Sequence, residues 1–309
     1  MQNMIPVVDL APYTLSVTEE QVDTCTLRKL ADEICHAFQD VGFVYLKNHG
    51  IPQQLINDVF STSKMFFDQP EELKQKYAIP CGELHGYISF EAEKVNHDRP
   101  VSDAREGYTM LVSKDGTLPQ NMPPEIMSTF KEIYITCTKL ALRMLDLLSI
   151  GLDKDREYLR QFHRGICVGG NSTTLRSNYY PPIKEIKEGQ ARCGEHSDYG
   201  TITFLFQDDM PGLEAKSPSD EYLPVPPVEG TIVMNVGDMM QRWSADRLKA
   251  TKHRVVVPQK DKARERPRQS IAVFVTPDDD ITITCIDGSN KYPPIRYLDY
   301  LKTKIDANF

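Results

Sequence analysis

Apolar positions follow two different rhythms along this chain. Up to about residue 150 they recur every three or four residues. Leu27, Leu30, Ala31, Ile34 and Phe38 predict a helix over 19–40, with Thr18 and Gln21 at the spacing of a capping box. Leu55, Val59, Phe60 and Met65 predict a second over 52–67, and a short third begins at Pro70. The stripe Phe130, Ile133, Tyr134, Cys137, Leu140, Ala141, Met144 and Leu148 predicts a long helix over 123–150. Strands at 5–10 and 41–47 interrupt this half, and 86–90 is the best strand in an irregular 80–104. After about 165 the rhythm shortens. Runs at 173–180, 201–206, 212–215, 231–236, 253–257, 270–275 and 281–286 read as strands bounded by turn residues, and 297–305 reads as a closing helix. Many short strands without long helices between them predict an antiparallel barrel or jelly roll. The expected architecture is therefore mainly β with a helical N-terminal region. It divides into an N-terminal αβ region (1–115), a helical segment (116–165), a jelly-roll core (166–280) and a final strand and helix (281–309).

Composition narrows the partners. With 36 Lys+Arg against 44 Asp+Glu in 309 residues, the net charge is −8. An acidic balance argues against nucleic acid or an anionic membrane as the main partner. No run of 18 apolar residues spans a bilayer, and the first residues carry Asp9 and no basic stretch, unlike a signal peptide. Seven scattered cysteines without a CxxC suit free thiols in a reducing compartment. The expectation is a cytoplasmic protein acting on a small molecule, with its oligomeric state open.

The chemistry begins at His196-Ser197-Asp198. Side chains two apart on an extended chain share a face, and His253 opens a strand further on. Two imidazoles and one carboxylate on one face form the facial triad of non-haem iron(II) oxygenases, which leaves positions for an organic co-substrate and dioxygen. An HxD alone says little, because 7 His and 25 Asp yield about 0.6 by chance, and a lone strand histidine is more often a core residue. Two features add weight. Arg268 and Ser270 share a face at the start of a strand, and a guanidinium beside a hydroxyl suits a carboxylate; the plain alternative is a solvated arginine ending the charged run 262–268. Arg176, Asn178 and Tyr180 alternate onto one face before Pro181-Pro182, where the alternative is an ordinary edge strand. His49 marks a strand end, His36, His85, His97 and His163 are expected at the surface or as caps, and Trp243 as a packing anchor.

These pieces stand in a particular order: Ile5-Pro-Val-Val-Asp-Leu10, Gly42-Phe-Val-Tyr-Leu-Lys-Asn48-His-Gly50, Asn178-Tyr-Tyr-Pro181, Gly194-Glu-His196-Ser-Asp198, Gly237-Asp-Met-Met-Gln-Arg-Trp243, Lys252-His-Arg-Val255 and Arg268-Gln-Ser270. In that order the chain resembles, over nearly its whole length, the iron(II)/2-oxoglutarate-dependent dioxygenases of the isopenicillin N synthase type. The resemblance implies a double-stranded β-helix, with iron(II) held by His196, Asp198 and His253. It also implies 2-oxoglutarate bound at its distal carboxylate by Arg268 and Ser270 with support from Tyr180, and Asn178 near the chelating end. Dioxygen would be the other co-substrate, and succinate and carbon dioxide would be released. The interval from His253 to Arg268 is longer than the family's usual one. Residues 259–266 are expected to lengthen a surface hairpin, with Arg264 and Arg266 as alternative anchors. The stretch 194–208 and Trp243-Ser-Ala-Asp246 are similar to the fungal thymine hydroxylases. That likeness would put Arg176, Tyr199 and Phe274 around a nucleobase-like heterocycle, although Phe274 also reads as core. Rival readings are an iron oxidase of this fold without 2-oxoglutarate, a jelly-roll binding protein without catalysis, and a zinc hydrolase using the same ligands.

Overall fold

The computed structural model describes residues 5–80, 83–96, 98–113, 115–117, 119–183, 185, 187–257 and 265–308. In chain order they form β1 (Val7–Asp9), α1 (Thr24–Asp40), β2 (Phe43–Lys47), α2 (Gln53–Phe67), α3 (Glu71–Lys74), β3 (Gly86–Ile88), β4 (Glu106–Leu111), α4 (Pro124–Gly151), β5 (Thr174–Tyr180), β6 (Cys193–His196), β7 (Ile202–Gln207), β8 (Leu213–Lys216), β9 (Tyr222–Pro224), β10 (Thr231–Val236), α5 (Asp238–Trp243), β11 (His253–Val255), β12 (Arg268–Val275), β13 (Thr282–Ile283), β14 (Ile295–Arg296) and α6 (Tyr297–Asn308). Eight strands make a large sheet in the order β1-β2-β10-β7-β12-β5-β4-β3, and four make a smaller one, β6-β11-β8-β9. This is the double-stranded β-helix expected from the strand-rich half, widened by strands from the helical half.

Alternation along each strand sorts the large sheet into two faces. Its outer face, with Val44, Leu46, Leu175, Phe204, Met234, Ile271 and Val273, packs under the buried stripes of α1, α2 and α4. Its inner face meets the small sheet, where Phe43, Tyr45, Tyr180, Val233, Leu213 and Val255 share a second, smaller cluster. The same inner face carries buried polar residues: Asn178, Thr203, Asn235, Arg268 and Ser270. A polar patch inside a sandwich is costly unless something binds it, so the site lies between the sheets.

Local differences from the expectations have local causes. Residues 19–21 form only a 3-10 turn, and α1 starts at Thr24 because Asp23 caps it, its Oδ1 accepting from the Thr26 N–H at 2.9 Å. The run 281–286 yields only the two-residue β13. β4 lies where no strand was expected. Gly237 caps the short helix α5, which begins at Asp238. His163 is not at the surface: it is buried, its Nδ1 bonded to the Leu159 carbonyl at 2.7 Å and its Nε2 to Thr201 Oγ1 at 2.8 Å. Trp243 is buried against Phe162 and His163, as a packing anchor should be. His97 and Arg264 lie outside the described residues.

Candidate iron and 2-oxoglutarate site

β6 and β11 pair antiparallel with His196 opposite His253, which puts their ring centroids 4.3 Å apart. Asp198, two residues beyond β6, closes the set. Its Oδ1 lies 3.9 Å from His196 Nε2 and 3.7 Å from His253 Nε2. Among the described residues this is the group whose ligand atoms gather within 4.8 Å of one another.

The surroundings orient each donor. His196 Nδ1 is bonded to the Gly194 carbonyl at 2.8 Å, and His253 Nδ1 to the Thr251 carbonyl at 3.1 Å. A carbonyl can only accept, so Nδ1 carries a proton on each ring, and each Nε2 is turned towards Asp198. The Phe43 ring meets His253 edge-on at 5.4 Å and backs the imidazole. Asp198 Oδ2 accepts from Thr203 Oγ1 and from Asn235 Nδ2, both at 2.6 Å, which leaves Oδ1 for a metal. Burial pushes the Asp198 carboxyl up, but the two imidazoles and these donors outweigh it and hold it below its ordinary value. Burial, followed by the neighbouring His196, pushes His253 down to about 4, so the ring is neutral and able to coordinate. Two imidazoles and one carboxylate suit iron(II).

Arg268 opens β12 opposite Tyr180, and Ser270 sits opposite Asn178, all facing between the sheets. The Arg268 side chain is buried, so it is not the solvated end of a charged run. Its Nε donates to the Met210 carbonyl at 3.2 Å and its Nη2 to Gln207 Oε1 at 2.8 Å, while Nη1 has no partner among the described residues. The Tyr180 ring lies 5.0 Å beneath the guanidinium. An unfilled buried donor is what a bound carboxylate would satisfy. Arg266, the alternative anchor, is exposed and forks onto Asp209.

Beside the ligand set opens a cavity of about 150 Å³, lined by His196, Asp198, Tyr199, Arg176, Phe274 and Glu93 among others. Phe274, which also read as core, is only half-buried there. Arg176 does not stand free: its two Nη groups fork onto Glu93 at 3.0 and 2.5 Å, and its Nε donates to Asn178 Oδ1 at 3.0 Å. Arg105 reaches the same Glu93 from Nη2 at 2.9 Å. Burial pushes the Glu93 carboxyl up, yet the two guanidiniums outweigh it and hold it down at about 2. Asn178 is thus tied to the cavity's ion-pair network. Glu93, Arg105, Thr203 and Asn235 went unnoticed in the sequence. Thr203 lies only five positions from Asp198, but Glu93, Arg105 and Asn235 reach the site through partners far away along the chain, and a short motif shows nothing of that.

Fold and site together define a double-stranded β-helix oxygenase that works with iron(II) and 2-oxoglutarate. Residues 171–277 match the model of the 2OG-Fe(II) oxygenase superfamily, and residues 5–128 match the non-haem dioxygenase in morphine synthesis N-terminal domain. The UPF0676 protein C1494.01 of Schizosaccharomyces pombe is 35% identical over 286 residues, covering 89% of this chain and 82% of the relative. The proline hydroxylase buaE of Petromyces alliaceus is 32% identical over 268 residues, 82% of each. The full-length thymine hydroxylase of Neurospora crassa, solved in complex with alpha-KG and thymine, superposes with a TM-score of 0.85 at 31% identity, covering 98% of this chain and 96% of that one. The chain belongs to the 2OG-Fe(II) oxygenase superfamily. It is a 2-oxoglutarate-dependent dioxygenase, an oxidoreductase whose cofactor is iron(II).

Proposed function

We propose that His196, Asp198 and His253 hold the iron, that Arg268, Ser270 and Tyr180 hold the distal carboxylate of 2-oxoglutarate, and that the substrate is a small, flat, nucleobase-like heterocycle. One observation carries the substrate reading. A single cavity is lined by two metal ligands, by the rings of Tyr199 and Phe274, and by the Glu93–Arg176 ion pair. Rings suit the faces of a planar heterocycle. A guanidinium and a carboxylate side by side suit an edge that offers C=O and N–H together. The thymine bound in the similar Neurospora crassa enzyme supports the same class.

When bound, iron with 2-oxoglutarate and dioxygen supplies an oxidant able to remove hydrogen from an unactivated carbon. The chain's own groups do the rest. The Gly194 and Thr251 carbonyls keep both imidazoles in the ligating tautomer, and Thr203 and Asn235 keep Asp198 ionised and turned. Arg268 anchors the end of the co-substrate remote from the metal, and the cavity wall sets which substrate carbon faces the ligands.

The acidic balance favours a free small molecule over nucleic acid or a membrane. Among the described residues no helix is long and apolar enough to cross a bilayer. The six described cysteines are free thiols, which supports a reducing compartment such as the cytoplasm. The test is substrate-stimulated succinate release from 2-oxoglutarate. The panel sets thymine, uracil and related cyclic amides against free amino acids, the class suggested by the proline hydroxylase relative. Stimulation by the heterocycles is the expected result; stimulation by amino acids alone would refute the reading.

A further inference from the structure

Arg192 immediately precedes β6 in the small sheet, and Arg268 opens β12 in the large sheet. Both side chains are fully buried. Arg192 Nη2 donates to the Arg266 carbonyl at 3.2 Å, but its Nε and Nη1 have no partner among the described residues, and neither does Nη1 of Arg268. The carboxylate in their neighbourhood, Asp208, accepts from the backbone N–H groups of Met210 at 3.0 Å and Gln269 at 2.5 Å. Burial, followed by repulsion from Arg268, pushes Arg192 down to about 10. Two like charges withdrawn from water, with three donors unfilled, are unfavourable unless an anion completes them. A carboxylate is planar and has two oxygens with several lone pairs, so it can accept from two guanidiniums at once.

We propose that Arg192 is a second binding residue for the co-substrate, gripping the distal carboxylate of 2-oxoglutarate from the small sheet while Arg268 grips it from the large one. This rests on the assignment of Arg268 to that carboxylate. The clamp makes the anion a cross-link between the sheets, and it makes the ligand-free protein carry an internal repulsion.

The test compares the full chain with Arg192→Gln, Arg192→Leu and Arg268→Leu. Calorimetric titration with 2-oxoglutarate is run on manganese-loaded protein. Thermal melts are run without metal, with and without glutarate, a diacid that offers the carboxylate but no keto group. The expected result is a Kd for 2-oxoglutarate raised roughly tenfold to a hundredfold in Arg192→Gln, the range of a hydrogen bond to a charged group. Glutarate should raise the Tm of the unaltered protein and do so less in Arg192→Leu. Without ligand, Arg192→Leu should melt no lower than the unaltered protein, because a buried unpaired charge has gone. A purely structural arginine would do the opposite, lowering the ligand-free Tm and leaving the Kd alone. A Kd within twofold of the unaltered protein in both Arg192 variants, with Arg268→Leu weakened, overturns the clamp alone. Unweakened binding in Arg268→Leu overturns the underlying assignment and the clamp with it. If the neutral variants fail to fold, Arg192→Lys decides: the clamp requires a Kd several-fold higher, because the fork is lost while the charge stays, and an unchanged Kd overturns it.

Discussion

Thr203→Val probes how much of the metal site is made by residues that never touch the metal. The substitution keeps the β-branched shape on β7 and removes one hydroxyl, which donates to Asp198 Oδ2 at 2.6 Å. The other donor to that oxygen, Asn235 Nδ2 at 2.6 Å, stays in place. The imidazole partners Gly194 and Thr251 are untouched, so the change is confined to the carboxylate. A buried hydrogen bond to a charged group is worth about 1.5–3 kcal/mol. At about 1.4 kcal/mol per factor of ten, metal affinity should fall roughly tenfold to a hundredfold, the range seen when outer partners of metal ligands are removed. The assay is titration of metal-stripped protein with iron(II) under anaerobic conditions, or with manganese(II) in air. Asn235→Leu should act in the same direction. The double variant should lose more than the sum of the singles, since Oδ2 would then keep neither of its donors. An affinity within twofold of the unaltered protein in Thr203→Val, with an unchanged melting curve, would refute the idea that Oδ2 is the outward oxygen and Oδ1 the ligand.

Two further changes test the scaffold. His163 is buried and pushed by burial from 6.5 to about 4. The folded protein therefore keeps it neutral where the unfolded chain would protonate it. Its contribution is complete above pH 6.5 and fades as pH falls towards 4, a difference of about 3 kcal/mol. Urea midpoints at pH 7, 5.5 and 4 should fall less steeply in His163→Gln than in the unaltered protein; parallel curves would refute the assignment. Gly42 turns the chain from α1 into β2 at φ +77°, and an added Cβ would collide with Thr251 Oγ1 and the Lys249 carbonyl. Gly42→Ala should destabilise by about 2 kcal/mol or more, read as a shift of the denaturant midpoint without a change of slope.

Legibility in the sequence followed the range of the interaction. The long stripe in 123–150 became α4 (Pro124–Gly151) because period, length and apolar density agree. The candidate metal set was visible because His196 and Asp198 are two residues apart and His253 begins a strand, so local geometry already aligns them. β4 was not visible: its run begins Arg105-Glu106, and charges read as solvated. Both are buried here, with Arg105 on Glu93 at 2.9 Å and Glu106 on Lys74 at 2.6 Å. Thr18 lost the helix start to Asp23 because two polar residues competed to cap one helix, and spacing alone cannot rank them. Arg176 was seen and its partner was not. Glu93 reaches it across 83 positions of chain, and nothing local to either residue announces the pair.

The two sheets divide the chemistry between them. The small sheet contributes both imidazoles, and its β6–β11 pairing sets them opposite each other. The large sheet contributes Arg268, Ser270, Tyr180 and the two donors that hold Asp198, all through inner-face alternation on β5, β7, β10 and β12. A one-residue slip in β12 would turn Arg268 and Ser270 towards the helices and bring Gln269 and Ile271 inward. The buried outer stripe of Ile271, Val273 and Val275 opposes that slip. The hydrophobic packing behind the large sheet is therefore what keeps the guanidinium turned between the sheets. Core substitutions on the outer face of β12 should weaken 2-oxoglutarate binding before they unfold the protein, to the extent that they loosen this register.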